Sequence, residues 1–188
     1  MAGSLKYTSG DLELMPDIEG VRYELINGDL YVSKTPHSYH QYTSNRFGAE
    51  LDHWDHQAGT GVTLTAPGLV FSPENDVVPD VVRISRERLR EALDDAGHLR
   101  AAPELVVEVL SPGPVNERRD RELKLSLYSR QGVQEYWIAD WRLRTVQVHR
   151  RQAATLQLVA TLGDGDLLTS PLLPGFSCAI STLWPPLP

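Results

Sequence analysis

Seven consecutive residues, Glu104-Leu105-Val106-Val107-Glu108-Val109-Leu110, constrain the fold of this chain more than any other feature. Their β-branched and aliphatic content fits a strand covered on both faces, in the middle of a sheet. A carboxylate at the centre of such a strand is costly to bury alone, so Glu108 requires a partner. After a break at Ser111-Pro112-Gly113-Pro114, a helical stretch over residues 117–131 ends at Gly132, and a second buried-type strand follows over 135–140. Strand, helix, strand in that order predicts a parallel βαβ crossover and an α/β fold.

The flanking segments add elements around this centre. Residues 11–15 read as a short helix capped by Thr8 or Ser9 and closed by Pro16. Residues 22–26 and 29–33 read as a hairpin about Asn27-Gly28, the dipeptide best suited to a two-residue turn. Over 37–58, His40, Phe47, Leu51, Trp54 and Ala58 recur on one helical face, and Gly59 and Gly61 end that helix. Short apolar runs at 62–65, 69–71 and 77–84, the last with Pro79 inside it, predict strands, and 85–93 predicts an Arg- and Glu-rich helix. Alternating strands over 145–150 and 156–162 and a turn at 163–166 complete the pattern. With 188 residues, 41% hydrophobic and 23% charged, and neither repeat nor dividing linker, residues 1–188 are expected to form one domain.

Charge and cysteine content narrow the setting. The formal net charge is −7, which argues against a surface built for indiscriminate phosphate binding. It is unevenly spread: residues 1–80 hold 4 Lys and Arg against 12 Asp and Glu, and residues 81–188 hold 14 against 13. The basic clusters Arg83/Arg86/Arg88/Arg90 and Arg118/Arg119/Arg121/Lys124 read either as a phosphate-binding face or as solvated helices laced with acidic partners. The lone Cys178 has no partner for an intramolecular disulfide, and nothing points to an oxidising compartment. Without an apolar leader or a run near 20 apolar residues, the chain is expected to be cytoplasmic and not membrane-bound.

The chemistry concentrates in two apolar runs that each carry an acid: Asp80 within Val77-Val78-Pro79-Asp80-Val81-Val82, and Glu108. Two carboxylates about 4 Å apart repel by roughly 4 kcal/mol at an effective dielectric near 20, so a sheet that joins them wants a proton or a cation between them. All-oxygen ligands select Mg²⁺, Mn²⁺ or Ca²⁺ over zinc. The alternative is that each acid ends its strand and reaches solvent. Asp120, Lys124 and Tyr128 recur at four-residue spacing and share a helix face, either toward the strand ends or as a surface ion pair of Asp120 with Lys124. The pairs His37/His40 and His53/His56 have zinc-compatible spacing but no further ligand, so surface or packing histidines suffice. Trp54, Trp137 and Trp141 read as base-stacking candidates, with core packing favoured for the first two.

Pro79-Asp80, 27 intervening residues and Glu108-Val109-Leu110 resemble the PD-(D/E)XK nuclease motif, with Leu110 where the motif has lysine. The ordered set of Arg22-Tyr23-Glu24-Leu25-Ile26-Asn27-Gly28-Asp29, Pro36 with His40, Pro79-Asp80, Pro103 through Ser111, Lys124 with Tyr128, Gly132 through Trp137 with Asp140, and Leu173-Pro174-Gly175-Phe176 resembles the Uma2 family of restriction endonucleases. That resemblance implies a restriction-endonuclease-like fold, a central mixed β-sheet flanked by helices, and phosphodiester hydrolysis dependent on Mg²⁺ or Mn²⁺, with DNA as the expected partner. It makes Asp80 and Glu108 metal ligands, with the backbone carbonyl of Val109 as a further one. It makes Glu24 a third acidic contributor and Lys124 the catalytic cation, with His40, Asp120 and Tyr128 nearby. Nucleases of this fold often act as pairs, so a homodimer is compatible with the sequence. The alternative function is a nuclease-like module that binds nucleic acid or protein without cutting, which the acidic composition and Leu110 favour.

Overall fold

The computed structural model describes residues 5–186. In chain order its elements are α1 (Ser9–Leu12), β1 (Val21–Ile26), β2 (Asp29–Lys34), α2 (Ser38–Ala58), β3 (Gly61–Thr65), β4 (Leu69–Ser72), β5 (Asn75–Val77), β6 (Val81–Ser85), α3 (Arg86–Ala92), β7 (Leu105–Val109) and α4 (Pro114–Arg118). A π-helical turn (Arg119–Lys124) joins α4 to α5 (Leu125–Gln131). Then come β8 (Glu135–Asp140), β9 (Thr145–Gln152), β10 (Thr155–Leu162), β11 (Leu167–Leu168), β12 (Cys178–Ala179) and a 3₁₀ turn (Ile180–Leu183).

The predicted crossover forms. Strands β7 and β8 pair in parallel with Glu108 opposite Ile138, at the centre of a six-stranded mixed sheet ordered β10-β9-β8-β7-β6-β3. Both strands are buried along their whole length. One face of the sheet packs Val107, Val109 and Trp137 against Phe47 and Leu51 of α2 and against Leu183 and Trp184 near the C-terminal end. The other face packs Val106, Leu110 and Ile138 against Leu127 and Tyr128 of α5. Helices therefore cover both faces, as an internal parallel pair requires. No helix among the described residues is long and apolar enough to cross a membrane.

Several local expectations need correction. Residues 77–84 are not one strand: β5 joins a separate sheet ordered β2-β1-β5-β4, which sequence reading did not anticipate, and β6 joins the large one. Pro79 lies in the break and cannot donate to a ladder, so Asp80 leaves the strands just before β6 begins. Helix α1 starts earlier than expected, because Thr8 caps it and Asp11 Oδ2 accepts from the Thr8 N–H at 2.7 Å. Helix α2 buries His40, Thr43, Phe47, Gly48, Leu51 and Asp55, while Ala58 is exposed. Arg83 lies on β6, within the strand expected there, but it is not part of a solvated basic cluster: its Nε meets Asp55 Oδ1 at 3.1 Å in the interior.

The helix expected over 117–131 begins three residues sooner, with Pro114 at its first position. Its π-helical turn widens the backbone, so residues five apart align, whereas the α-helical ladder aligns those three or four apart. Arg119 and Lys124 thereby both turn inward, and both are buried with Asp120. The Tyr136 hydroxyl donates to the Asp120 carbonyl at 2.9 Å, within the turn that departs from the regular ladder.

Candidate active site

The parallel pair ends at one edge of the sheet, where three further elements converge: the hairpin strand β1, the N-terminal part of α2 and the π-helical turn. Each supplies a polar or charged side chain. Glu108 projects from β7, and its Oε1 accepts from Lys124 Nζ at 2.8 Å and from the Tyr128 hydroxyl at 2.9 Å. Glu24 projects from β1, and its Oε1 lies 2.9 Å from Lys124 Nζ and accepts from the Val78 N–H at 2.9 Å. Asp80, freed by the Pro79 break, accepts the Val109 N–H on Oδ2 at 2.8 Å, and His40 Nε2 lies 3.3 Å from the same oxygen. Arg119 reaches Asp120 Oδ1 at 3.0 Å and Glu24 Oε2 at 3.6 Å.

All eight residues singled out from the sequence for this site therefore meet in one place. Lys124 is only 1% exposed, so a surface ion pair with Asp120 is excluded, although the two do lie 3.9 Å apart. Arg119 was not legible: the 3.6-residue period assigns it to the solvated cluster, and only the five-residue alignment of the π turn points it inward. Leu110 stands on the same face of β7 as Glu108, packed in the cluster that holds Leu127 and Tyr128. Lys124 brings from the helix the cation that the motif would draw from position 110. The other histidines belong elsewhere: His53 and His56 are exposed, and His37 caps α2. Trp54 and Trp137 pack as expected, with their indole N–H groups donating to the Pro174 carbonyl and to Glu135.

Electrostatics separates the two central acids. Burial pushes the Glu108 carboxyl up to about 8; Lys124 opposes this, and Asp80, Asp120 and Glu24 reinforce it. Asp80 behaves in the opposite way: despite burial, the His40 contact and the Val109 N–H hold it below the usual carboxylate range. Glu24 is likewise held low against burial by Lys124 and Arg119. Burial alone would strip the Lys124 proton, but Glu108, Glu24 and Asp120 outweigh it and raise its pKa.

The donor set fits a divalent cation on two counts. Four buried carboxylates cluster here: Glu24, Glu108 and Asp120 pair with the cations Lys124 and Arg119, while Asp80 pairs only with His40 among the described residues, so the acids outnumber the two fixed cations. The hydrogen bonds to Asp80 and Glu108 fall on Oδ2 and Oε1, so Oδ1 and Oε2 have no protein donor among the described residues. No three His, Cys, Asp or Glu side chains among the described residues already converge as a ligand set. An ion here would thus take two carboxylates and complete its shell with water or a backbone oxygen, the partly hydrated coordination Mg²⁺ favours. A cleft of ≈ 280 Å³ lined by Glu24, Asp80, Glu108, Val109, Lys124 and His40 gives access.

Removing Asp80 should cost stability. Its depressed pKa means that the surroundings favour its ionised form despite the nearby acids, and Asp80→Ala leaves the Val109 N–H without an acceptor. A loss of about 1–3 kcal/mol at pH 7 is expected in chemical denaturation without metal. Because the depressed group contributes above its unfolded pKa, the difference from wild type should shrink as the pH falls below about 4. A variant as stable as wild type at pH 7 would mean that repulsion among the acids dominates.

These elements define a mixed α/β fold shared with a crystal structure described as a putative nuclease belonging to DUF820 from Anabaena variabilis. The TM-score is 0.75, with 18% identity, over 94% of this chain and 96% of that one. Residues 10–181 match the Uma2 family, described as "Putative restriction endonuclease", and the chain belongs to that family. No curated protein matches it.

Proposed function

We propose that this chain is a metal-dependent endonuclease that hydrolyses phosphodiester bonds in DNA, with Asp80 and Glu108 as the metal ligands. The observation that carries the reading is the buried pair itself, one acid held ionised and the other pushed up to about 8, beside a buried Lys124. Family membership supports nucleic acid as the substrate class. When bound, a divalent ion makes water easier to deprotonate at neutral pH and offsets charge that builds on the phosphoryl oxygens.

The protein's own groups divide the remaining work. An ammonium has three N–H donors, and Lys124 directs two of them at Glu108 and Glu24. The third makes no hydrogen bond among the described residues, Asp120 Oδ1 lying 3.9 Å away, and would serve the attacking water or a non-bridging phosphate oxygen in the cleft that Lys124 lines. Tyr128 fixes the Glu108 oxygen that Lys124 shares. Arg119, which lines the same cleft, pairs with Asp120 and Glu24 and offsets part of their charge. His40 and the Val109 N–H orient Asp80.

The test is a cleavage assay on labelled single-stranded DNA, duplex DNA and RNA with Mg²⁺ or Mn²⁺ against EDTA. Cutting of DNA that requires the metal is expected. Binding without cutting under every condition would instead assign the chain to the non-cutting class, which Leu110 had favoured.

A further inference from the structure

The cleft at Asp80 and Glu108 does not stop at the acids. It shares Ser33, Lys34, Thr35, Pro36 and Ser111 with a second depression of ≈ 390 Å³, which continues past Pro112 and Asn116 to His37. At that end His37 lines the depression, backed by aromatic side chains that the proposed chemistry does not use. The imidazole of His37 stacks on the indole of Trp141, with centroids 5.0 Å apart and planes 16° apart. Tyr39 meets both rings edge-on, at 5.1 Å and 5.5 Å.

The topology explains why this group lies beside the acids. Trp141 follows the last residue of β8, Ser111 lies just beyond β7, and these parallel strands end at the same edge. His37 is the N-cap of α2, and its Nδ1 accepts from the Tyr39 N–H at 3.1 Å. The imidazole is thereby pinned at both its nitrogen and its stacked face, yet the residue remains exposed. Two residues, Val109 and Leu110, separate Glu108 from Ser111, at most about 10 Å of chain, so the extension begins within roughly a nucleotide or two of the acids.

We infer that this extension is a base-stacking subsite for single-stranded DNA, in which a nucleobase next to the scissile phosphate lies on the exposed imidazole of His37, held in place by Trp141 behind it; the inference rests on the nuclease reading above. Two further observations favour a single strand over a duplex. The Asp80 and Glu108 side chains retain only 11% and 4% exposure, so a phosphate must enter the cleft to meet them, and the backbone of a stacked duplex is held on a broad cylinder. Among the described residues, the walls of the extension also carry a single cation, Lys34, and no acid. A duplex brings one phosphate per about 1.7 Å of axis, roughly twice the density of one strand, and a single cation matches the lower density better. Lys34, exposed in both depressions, is placed to meet the strand's own phosphate.

Fluorescence anisotropy in EDTA with a labelled twelve-residue oligothymidylate and with a blunt duplex of the same length tests this. The wild type is expected to bind the single strand more tightly than the duplex. Trp141→Ala and His37→Ala should each weaken single-strand binding about 5- to 100-fold, the scale of one stacked base, and Trp141→Phe should restore most of it. Circular dichroism and Mn²⁺ affinity should match wild type in His37→Ala, which separates loss of the subsite from loss of the fold. Equal affinity for duplex and single strand, or single-strand binding unaffected in both alanine variants, would overturn the inference. The two readings fail separately: metal-dependent cutting that ignores both substitutions removes the subsite alone, whereas stacking-dependent binding with no cutting of any substrate removes the nuclease alone.

Discussion

Replacing Lys124 with methionine is expected to lower DNA cleavage by at least about 100-fold, the effect of deleting one donor aimed at developing charge in a buried site. Divalent-metal affinity should stay the same or tighten, because a positive charge 2.8 Å from a proposed ligand is removed. That split separates a catalytic cation from a ligand. Stability should move as well. Lys124 contacts Glu108, Glu24 and Asp120, and taking one partner from a buried ionic cluster costs about 3–5 kcal/mol. The cost should be largest above pH 8, where Glu108 is ionised, and smaller below it, where protonation removes one of the stranded charges. Added Mg²⁺ should recover part of it. Cleavage at the wild-type rate in a folded Lys124→Met protein would remove Lys124 from the chemistry.

Glu108→Gln should uncouple folding from function. The substitution keeps an oxygen for Lys124 Nζ and the Tyr128 hydroxyl and deletes only the charge that burial disfavours. The sign follows from the raised pKa: the ordinary value is 4.5 and the folded value about 8. The folded state thus binds this proton more tightly than the unfolded chain, so the stabilisation is full below about pH 4.5 and disappears as the pH rises to 8. Metal-free wild type is therefore expected to lose stability across that window, and Glu108→Gln to lose much less. Above pH 8 the variant should be at least as stable as wild type, with metal binding and cleavage both lost. Parallel pH profiles for the two proteins would show that folding does not raise the Glu108 pKa, and the argument for a cation at this position would lose its main support.

The large sheet was legible because its signals are local. The β-branched run at 105–109, the helical stretch after it and the apolar run at 135–140 each carry their own period, and the handed connection between parallel strands leaves little choice. Asn27-Gly28 fixed the hairpin in the same way. The second sheet was hidden because Val77-Val78 and Val81-Val82 read as parts of one β-branched run, and period alone does not tell one strand from two that part at Pro79. The site was legible where a residue type contradicts its surroundings: Asp80 and Glu108 stand out as acids among valines. Glu24 and Lys124 came from the ordered family resemblance, since neither a hairpin acid nor a helical lysine is unusual by itself. Arg119 escaped because its placement depends on a π turn, which changes the helical period without a sequence mark.

The same π turn bears on the missing lysine at position 110. A strand lysine would reach Glu108 from its own strand, whereas Lys124 reaches it from a helix and is held by two carboxylates on different elements, Glu24 of β1 and Glu108 of β7. Moving the lysine back should be costly, because Leu110 is fully buried among apolar side chains. Leu110→Lys combined with Lys124→Ala would need the new ammonium to emerge beside Tyr128 in the space Lys124 vacates.

The central claim is that Asp80 and Glu108 together hold a divalent cation, and titration calorimetry with Mn²⁺ at pH 7 tests it most directly. One ion per chain is expected to bind the wild type. Because Glu108 is largely protonated at that pH, binding should release a proton, seen as a heat that changes with the ionisation enthalpy of the buffer. Binding should disappear in both Asp80→Asn and Glu108→Gln. Wild-type protein that binds no Mn²⁺, or binding that survives unchanged in both variants, would contradict the account.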